Sequence, residues 1–150
     1  MIFGGENEVF SSPRCNPLGN FQPCVLRTLG AGARIELAKG VGLSGTVLCA
    51  GVEIVIGEGT ILGSGAMVID NDFHQPEGEW QWRGDFVTGA RAIRIGRGCF
   101  IGARAVVLKG VAIGDRAVVG AGAVVTKDVP EGMMAVGNPS RNVPITLERV

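Results

Sequence analysis

A length of 150 residues suits a single domain, and 14 Lys+Arg against 14 Asp+Glu leave no net charge. That balance excludes a broad basic footprint for nucleic acid or an anionic membrane, and no apolar run approaches the ~18 residues of a membrane-spanning helix. Glycine reaches 25 residues while aromatics are 5% and tyrosine is absent, which excludes a core of large rings and favours a narrow one built from small, regular layers.

The opening MIFGGENEVF carries Glu6 and Glu8 and no basic segment, so it does not read as a secretion signal. Cys15, Cys24, Cys49 and Cys99 form no CxxC pair. Reduced thiols and a cytoplasmic location are therefore expected, and nothing supports a Cys15–Cys24 bridge. Residues 1–33 show no repeat and contain Pro13, Pro17, Gly19 and Pro23. They predict an irregular cap over the unpaired backbone at the end of a strand stack.

From about residue 34 a period of six begins, blurred at first. Gly45 and Gly51 hold a glycine slot, with Ser44 and Ala50 before them where aliphatics are expected. The pattern sharpens at Ile56-Gly57, Leu62-Gly63 and Val68, with Thr60 and Ala66 four places after the first two. It is clearest at Ile95, Ile101, Val107, Ile113, Val119 and Val125, each followed four places later by Cys99, Ala105, Val111, Ala117, Ala123 or Val129. A period of six does not match the 3.6 of an α-helix, and hairpin sandwiches alternate every two residues. A short strand and a turn every six residues build a three-sided prism, an all-β parallel helix whose coils stack about 4.8 Å apart. The aliphatic faces inward, the fourth residue after it must be small, and the corner uses a flexible residue. Coils are predicted over 34–73 and 94–130.

The step from Val68 to Ile95 is not a multiple of six, so the two blocks are out of phase. An excursion therefore leaves the prism over 74–93, and long loops in compact repeats are usually functional. It begins at His74, the sole histidine. An imidazole suits proton removal near neutral pH. Asp70 and Asp72 precede it and either orient the ring or cap the turn where the loop departs. Trp80, Trp82 and Phe86 in the loop form either a lid over a ligand or packing against a second subunit. Arg83 and Glu79 stand where they could meet a polar acceptor. Beyond Pro130 the repeat stops, and 131–150 is predicted as a C-terminal extension.

Three stretches carry a resemblance: Ile69-Asp70-Asn71-Asp72-Phe73-His74, the run over 95–130, and Ala135-Val136-Gly137-Asn138-Pro139-Ser140-Arg141. Over roughly 40–143 the chain resembles the hexapeptide-repeat acyltransferases, in particular the small O-acetyltransferases of sugars and polysaccharides typified by the maltose and galactoside enzymes. The resemblance implies a left-handed parallel β-helix, although the general crossover rule would give the right-handed form. It implies homotrimers with active sites between subunits, acetyl-CoA as acyl donor, and His74 as general base. The backbones at Ala103 and at Ala121-Gly122 would line the pantetheine arm, with Phe100 where many relatives carry a tryptophan. Lys127 of Thr126-Lys127-Asp128 and Arg141 would lie near the phosphates. Pro144 departs from a basic residue common three places after Arg141, and Leu43 and Gly51 stand near places where some relatives bind sugar. Trp80, Trp82 and Arg83 are the candidate contacts to a small-molecule or saccharide acceptor.

Cys99 is predicted inward, so direct transfer of the acetyl group is expected rather than a covalent enzyme intermediate. N-acetylation of an amine and a non-catalytic scaffold remain as alternatives. A zinc hydratase on the same prism needs three histidines per metal, which one histidine per chain cannot supply, so no metal is expected.

Overall fold

The computed structural model describes residues 1–12, 14, 16, 18, 19 and 22–146. Cys15, Pro13 and Pro17, and with them the Cys15–Cys24 pairing, lie outside the described residues. Strands follow in sets of three. The first coil is β1 (Ile2–Phe3), β2 (Glu8–Phe10) and β3 (Val25–Thr28). The second is β4 (Arg34–Leu37), β5 (Gly42–Ser44) and β6 (Val47–Ala50). The third is β7 (Glu53–Ile56), β8 (Ile61–Leu62) and β9 (Met67–Ile69). A hairpin, β10 (His74–Glu77) and β11 (Gln81–Gly84), then interrupts the stack. The fourth coil is β12 (Ile93–Ile95), β13 (Phe100–Ile101) and β14 (Val106–Leu108). The fifth is β15 (Ala112–Ile113), β16 (Val118–Val119) and β17 (Val124–Val125), and β18 (Met133–Val136) and β19 (Arg141–Pro144) close the chain.

Each strand pairs in parallel with its counterpart one coil away, giving three faces. The first is β1-β4-β7-β12-β15, the second β2-β5-β8-β13-β16-β18-β19, and the third β3-β6-β9-β14-β17. Inward aliphatics stack in register: Leu37 on Ile56, Ile95 and Ile113; Leu43 on Leu62, Ile101 and Val119; Leu48 on Val68, Val107 and Val125. All are buried, as are Thr60, Ala66, Cys99, Ala105, Val111, Ala117, Ala123 and Val129 in the small-residue slot. Full burial of each aliphatic stabilises by about 1.5–3 kcal/mol, and the ladders share one core. Among the described residues no helix is long and apolar enough to cross a membrane.

The structure corrects three expectations. Residues 1–33 are not an irregular cap, because β1, β2 and β3 pair in register with β4, β5 and β6 and form a complete first coil. Phe3, Val9 and Leu26 are the register partners of the inward Leu37, Leu43 and Leu48, but a long segment separates β2 from β3 and breaks the six-residue step in the sequence. In the second coil the inward slots belong to Leu43 and Leu48, not to Ser44 and Ala50. The coil that separates Leu37 from its partner Ile56 is longer by a single position than the one that separates Ile95 from Ile113, so a strict count of six slips. At the other end the coil continues past 130: Val129 bridges to Ile113 and β18 pairs in parallel with β16. Only then does β19 fold back antiparallel on β18 and cover the open edge.

Close stacking leaves no room at the corners. A Cβ on Gly102 would stand 2.5 Å from the Ala121 nitrogen and 2.7 Å from the Val119 oxygen, both backbone atoms that cannot swing aside. Gly102→Ala should therefore cost about 2 kcal/mol and lower Tm by about 5 °C. Thermal unfolding followed by circular dichroism checks this, and an unchanged Tm would mean that the coils are not packed at this spacing.

Candidate active site

The excursion leaves at the corner after β9. Leu62 pairs with Ile101 across the whole excursion, whereas Ile101 pairs with Val119 after an uninterrupted turn of three hexads. The stack therefore closes over the insertion without losing register. Asp70 seals this break. It is fully buried, and its Oδ1 accepts from the Gly51 N–H (2.6 Å) and the Asn71 side-chain amide (3.1 Å). Its Oδ2 accepts from the N–H groups of Val52 (2.9 Å) and Glu53 (2.8 Å). The chain returns where the Arg91 N–H donates to the Asp70 carbonyl at 2.9 Å.

Asp70 is thus a structural anchor. The expectation that it orients His74 is corrected, since both its oxygens are spent on the bend at 51–53. Asp72 is held elsewhere too, its carboxylate ion-paired with Lys109 of the next coil. Among the described residues no hydrogen bond reaches the His74 ring from either acid.

Phe73 takes a φ of 62°, a left-handed conformation uncommon for a bulky side chain. Its ring packs edge-on against Phe86, with centroids 6.0 Å apart, so Phe86 anchors the loop rather than forming a lid. The Phe73 carbonyl accepts from the Asp85 N–H (2.9 Å), and the His74 N–H donates to the Asp72 carbonyl (2.7 Å). His74 is consequently presented outward at the start of β10. It lines an open groove of about 620 Å³ together with Asp72, Gln75, Pro76 and Trp82.

Of the other acceptor candidates, Trp80 sits at the hairpin tip, 91% exposed and outside that groove. Arg83 is engaged with Asp85 at 3.2 Å. Asp85 shapes the loop's return. N–H donation from Thr88 first, then the Thr88 hydroxyl, the Val87 N–H and the Arg83 charge hold its carboxyl down to about 2. Burial raises the thiols of Cys99 and Cys49, which leaves them poor nucleophiles. Among the described residues no cluster of three His, Cys, Asp or Glu side chains is placed to hold a metal ion.

The cofactor candidates divide. Ala103, Ala121 and Gly122 come together with Leu18, Ser64 and Arg104 around a groove of about 500 Å³. This groove runs along the edge between the second and third faces, where the Gly122 N–H donates to the Ala103 carbonyl at 2.9 Å. Among the described residues nothing accepts from the N–H of Ala103 or Ala121. Phe100 stands outward on the second face between Ile61 and Val118, 48% exposed. Thr126 and Lys127 are exposed on the next edge, after β17. Arg141 is exposed on β19 opposite Val136. His74 lies on the edge of Thr126 and Lys127, between the third and first faces. Within one chain it therefore does not share an edge with Ala103 and Ala121.

Sequence reasoning missed Gln75, Pro76 and Lys109 around His74, and Leu18 and Ser64 at the second groove. Only Lys109 left a usable signal. Ile69 and Leu108 are register partners, so Lys109 must emerge at the corner from which the loop departs.

Residues 92–127 match the family model described as the hexapeptide repeat of succinyl-transferase. Comparison with curated proteins gives no match. Among solved structures, a hexapeptide-repeat containing acetyltransferase of Vibrio cholerae is 26% identical over 84% of this chain and 71% of its own, with a TM-score of 0.60; it has also been solved with acetyl coenzyme A. A serine acetyltransferase of Neisseria gonorrhoeae, solved with serine, is 29% identical over 75% of this chain and 42% of its own, with a TM-score of 0.52. A maltose O-acetyltransferase of Clostridium difficile is 22% identical over 97% of this chain and 71% of its own, with a TM-score of 0.55. The stacked three-sided coil is a left-handed parallel β-helix, and the chain is similar to hexapeptide-repeat acetyltransferases in structure as well as in sequence.

Asp70→Ala should orphan three backbone donors and cost about 3 kcal/mol or more, while Asp70→Asn, which keeps one acceptor oxygen, should cost less. Denaturant titration checks both, and an undiminished stability in Asp70→Ala would return Asp70 to the catalytic candidates. The Asp85 contacts carry their own sign. A carboxyl depressed in the folded chain contributes stability above its unfolded value of 3.8 and loses it as pH falls toward about 2. Fluorescence of Trp80 and Trp82 should thus be steady from pH 7 to about 4 and change below it, whereas Asp85→Asn should lose that transition.

Proposed function

We propose that this chain is an acetyl-CoA-dependent acetyltransferase acting in the cytoplasm on a hydroxyl of a sugar, a polysaccharide precursor or a related small molecule. His74 is its general base. The observation that carries the reading is the presentation of the one imidazole in an open groove on a β-helix. Another edge of the same prism offers small corners with unused backbone donors at Ala103 and Ala121. The acetyl-CoA complex of the Vibrio cholerae relative supports the donor.

The pantetheine arm would lie along the prism axis, past Ala103 and then Ala121-Gly122, one coil apart. Small side chains there allow its amides to approach the free backbone N–H groups. Phe100 on the adjoining face would pack against the arm. The nucleotide would then reach the C-terminal end of the prism, where Arg141 offers charge to the phosphates and Thr126 and Lys127, which share the edge of His74, would reach them from the neighbouring chain. Because His74 and the Ala103–Ala121 corners occupy different edges, a working site needs two chains side by side. This favours a homotrimer with sites between subunits.

In the reaction, Nε2 or Nδ1 of His74 accepts the acceptor's hydroxyl proton as its oxygen attacks the thioester carbon. A tetrahedral oxyanion forms and is stabilised by backbone N–H donors. It collapses to the ester with loss of the CoA thiolate, which takes the proton back from the imidazolium. Trp82 forms a wall of the acceptor groove. Trp80 and Arg83 stand further along the hairpin and would contact only a longer acceptor.

Thiol release from acetyl-CoA over a panel of mono- and oligosaccharides tests this. His74→Ala should lower turnover by about 10²–10⁴-fold, and Ala103→Trp should abolish CoA binding. Refolding the two variants together should recover part of the activity, since mixed trimers hold some intact sites. Full turnover in His74→Ala would remove the imidazole from the mechanism, and no recovery in the mixture would place the site within one chain.

A further inference from the structure

The Asp72 carboxylate lines the same groove as His74. A free carboxylate beside an imidazole favours the charged ring, which cannot accept a proton. The structure supplies a counterweight. Lys109 emerges from the fourth coil at the corner beneath the loop, and its ammonium, largely shielded by the loop, pairs with Asp72. The same Nζ would stand 3.6 Å from a Cβ on Gly89, near the loop's return, so the ammonium lies close to both ends of the excursion. The other charged groups around the ring are already committed or stand further off. Arg83 on the opposite strand pairs with Asp85, just past its end, at 3.2 Å, and Glu77 at the far end of β10 approaches Arg83 at 4.0 Å. Arg91, where the loop rejoins the prism, lies against Gly110.

We infer that Lys109 is a positioning residue for His74: by holding the Asp72 carboxylate it fixes the segment that presents the ring and opposes the acid's charge in the acceptor groove. The inference rests on the reading of His74 as base, but its test does not need an acceptor. As the sole histidine, His74 contributes one imidazole C2–H resonance, which can be titrated by proton NMR in the full-length protein.

Lys109→Met should raise the midpoint of that titration above the wild-type value, the direction expected when a neighbouring carboxylate is left unopposed. Lys109→Arg should stay at the wild-type midpoint, and Lys109→Met combined with Asp72→Asn should return to it. Asp72→Asn alone, which leaves the ammonium unopposed, should lower the midpoint and serves as the second reading should Lys109→Met fold poorly. With any acceptor that turns over, Lys109→Met should reduce kcat most at acidic pH and leave KM for acetyl-CoA unchanged. An unmoved midpoint in either single variant, or a rise that persists in the double variant, overturns the inference. Full turnover in His74→Ala would sink the base assignment while leaving the titration result intact, so the two failures are distinguishable.

Discussion

The interior of the prism admits one aliphatic and one small or β-branched side chain per face in each coil. Everything else follows from that constraint. Ile56, Ile95 and Ile113 stack because parallel strands repeat at a fixed spacing, and a narrow interior has no place for a ring. Any functional group larger than a methyl cluster must be carried outside, at a corner or on an excursion. The corners are where backbone groups leave the ladders, so they are also where the surface has chemistry to offer.

The molecule breaks its own period once, and the break is built rather than tolerated. Asp70 is buried among aliphatics, where an unpaired carboxylate would be very unfavourable. Three N–H groups from the bend at 51–53 and one side-chain amide satisfy it. With that corner locked, Phe73 is held in a left-handed conformation, Phe86 packs on it, and His74 is directed outward. Backbone strain beside a candidate base fits the general tendency of strained residues to cluster where a side chain must be aimed. Lys109 belongs to the same arrangement, because it ties the acid in the groove to a strand-bound coil rather than to the loop itself.

Legibility in the sequence was uneven, and the reasons are physical. Over 95–129 each inward residue is separated by the same six steps, so composition alone exposes the core. Over 34–50 the coil is longer by one position between Leu43 and Leu62 and by two between Leu48 and Val68, so a strict count places Ser44 and Ala50 where Leu43 and Leu48 stand. The first coil left no clear pattern because only Phe3 and Val9 keep the six-residue step, and the long segment between β2 and β3 puts Leu26 out of phase with them. The identity of His74 as a site candidate was legible because it is unique and begins the excursion. The role of Asp70 was not, since a buried turn anchor and an orienting acid look alike until their hydrogen bonds are known.

By itself the sequence determined the period, the all-β coil, the place of the interruption and the residue types available there, because these depend on spacing along the chain. Only the tertiary structure decided which corners share an edge. Leu62 and Ile101 become neighbours across the excursion, Lys109 meets Asp72, and His74 falls on a different edge from Ala103 and Ala121. Those relations depend on how many residues each coil consumes before it closes, a quantity set by backbone pairing between coils and not by any local run of side chains.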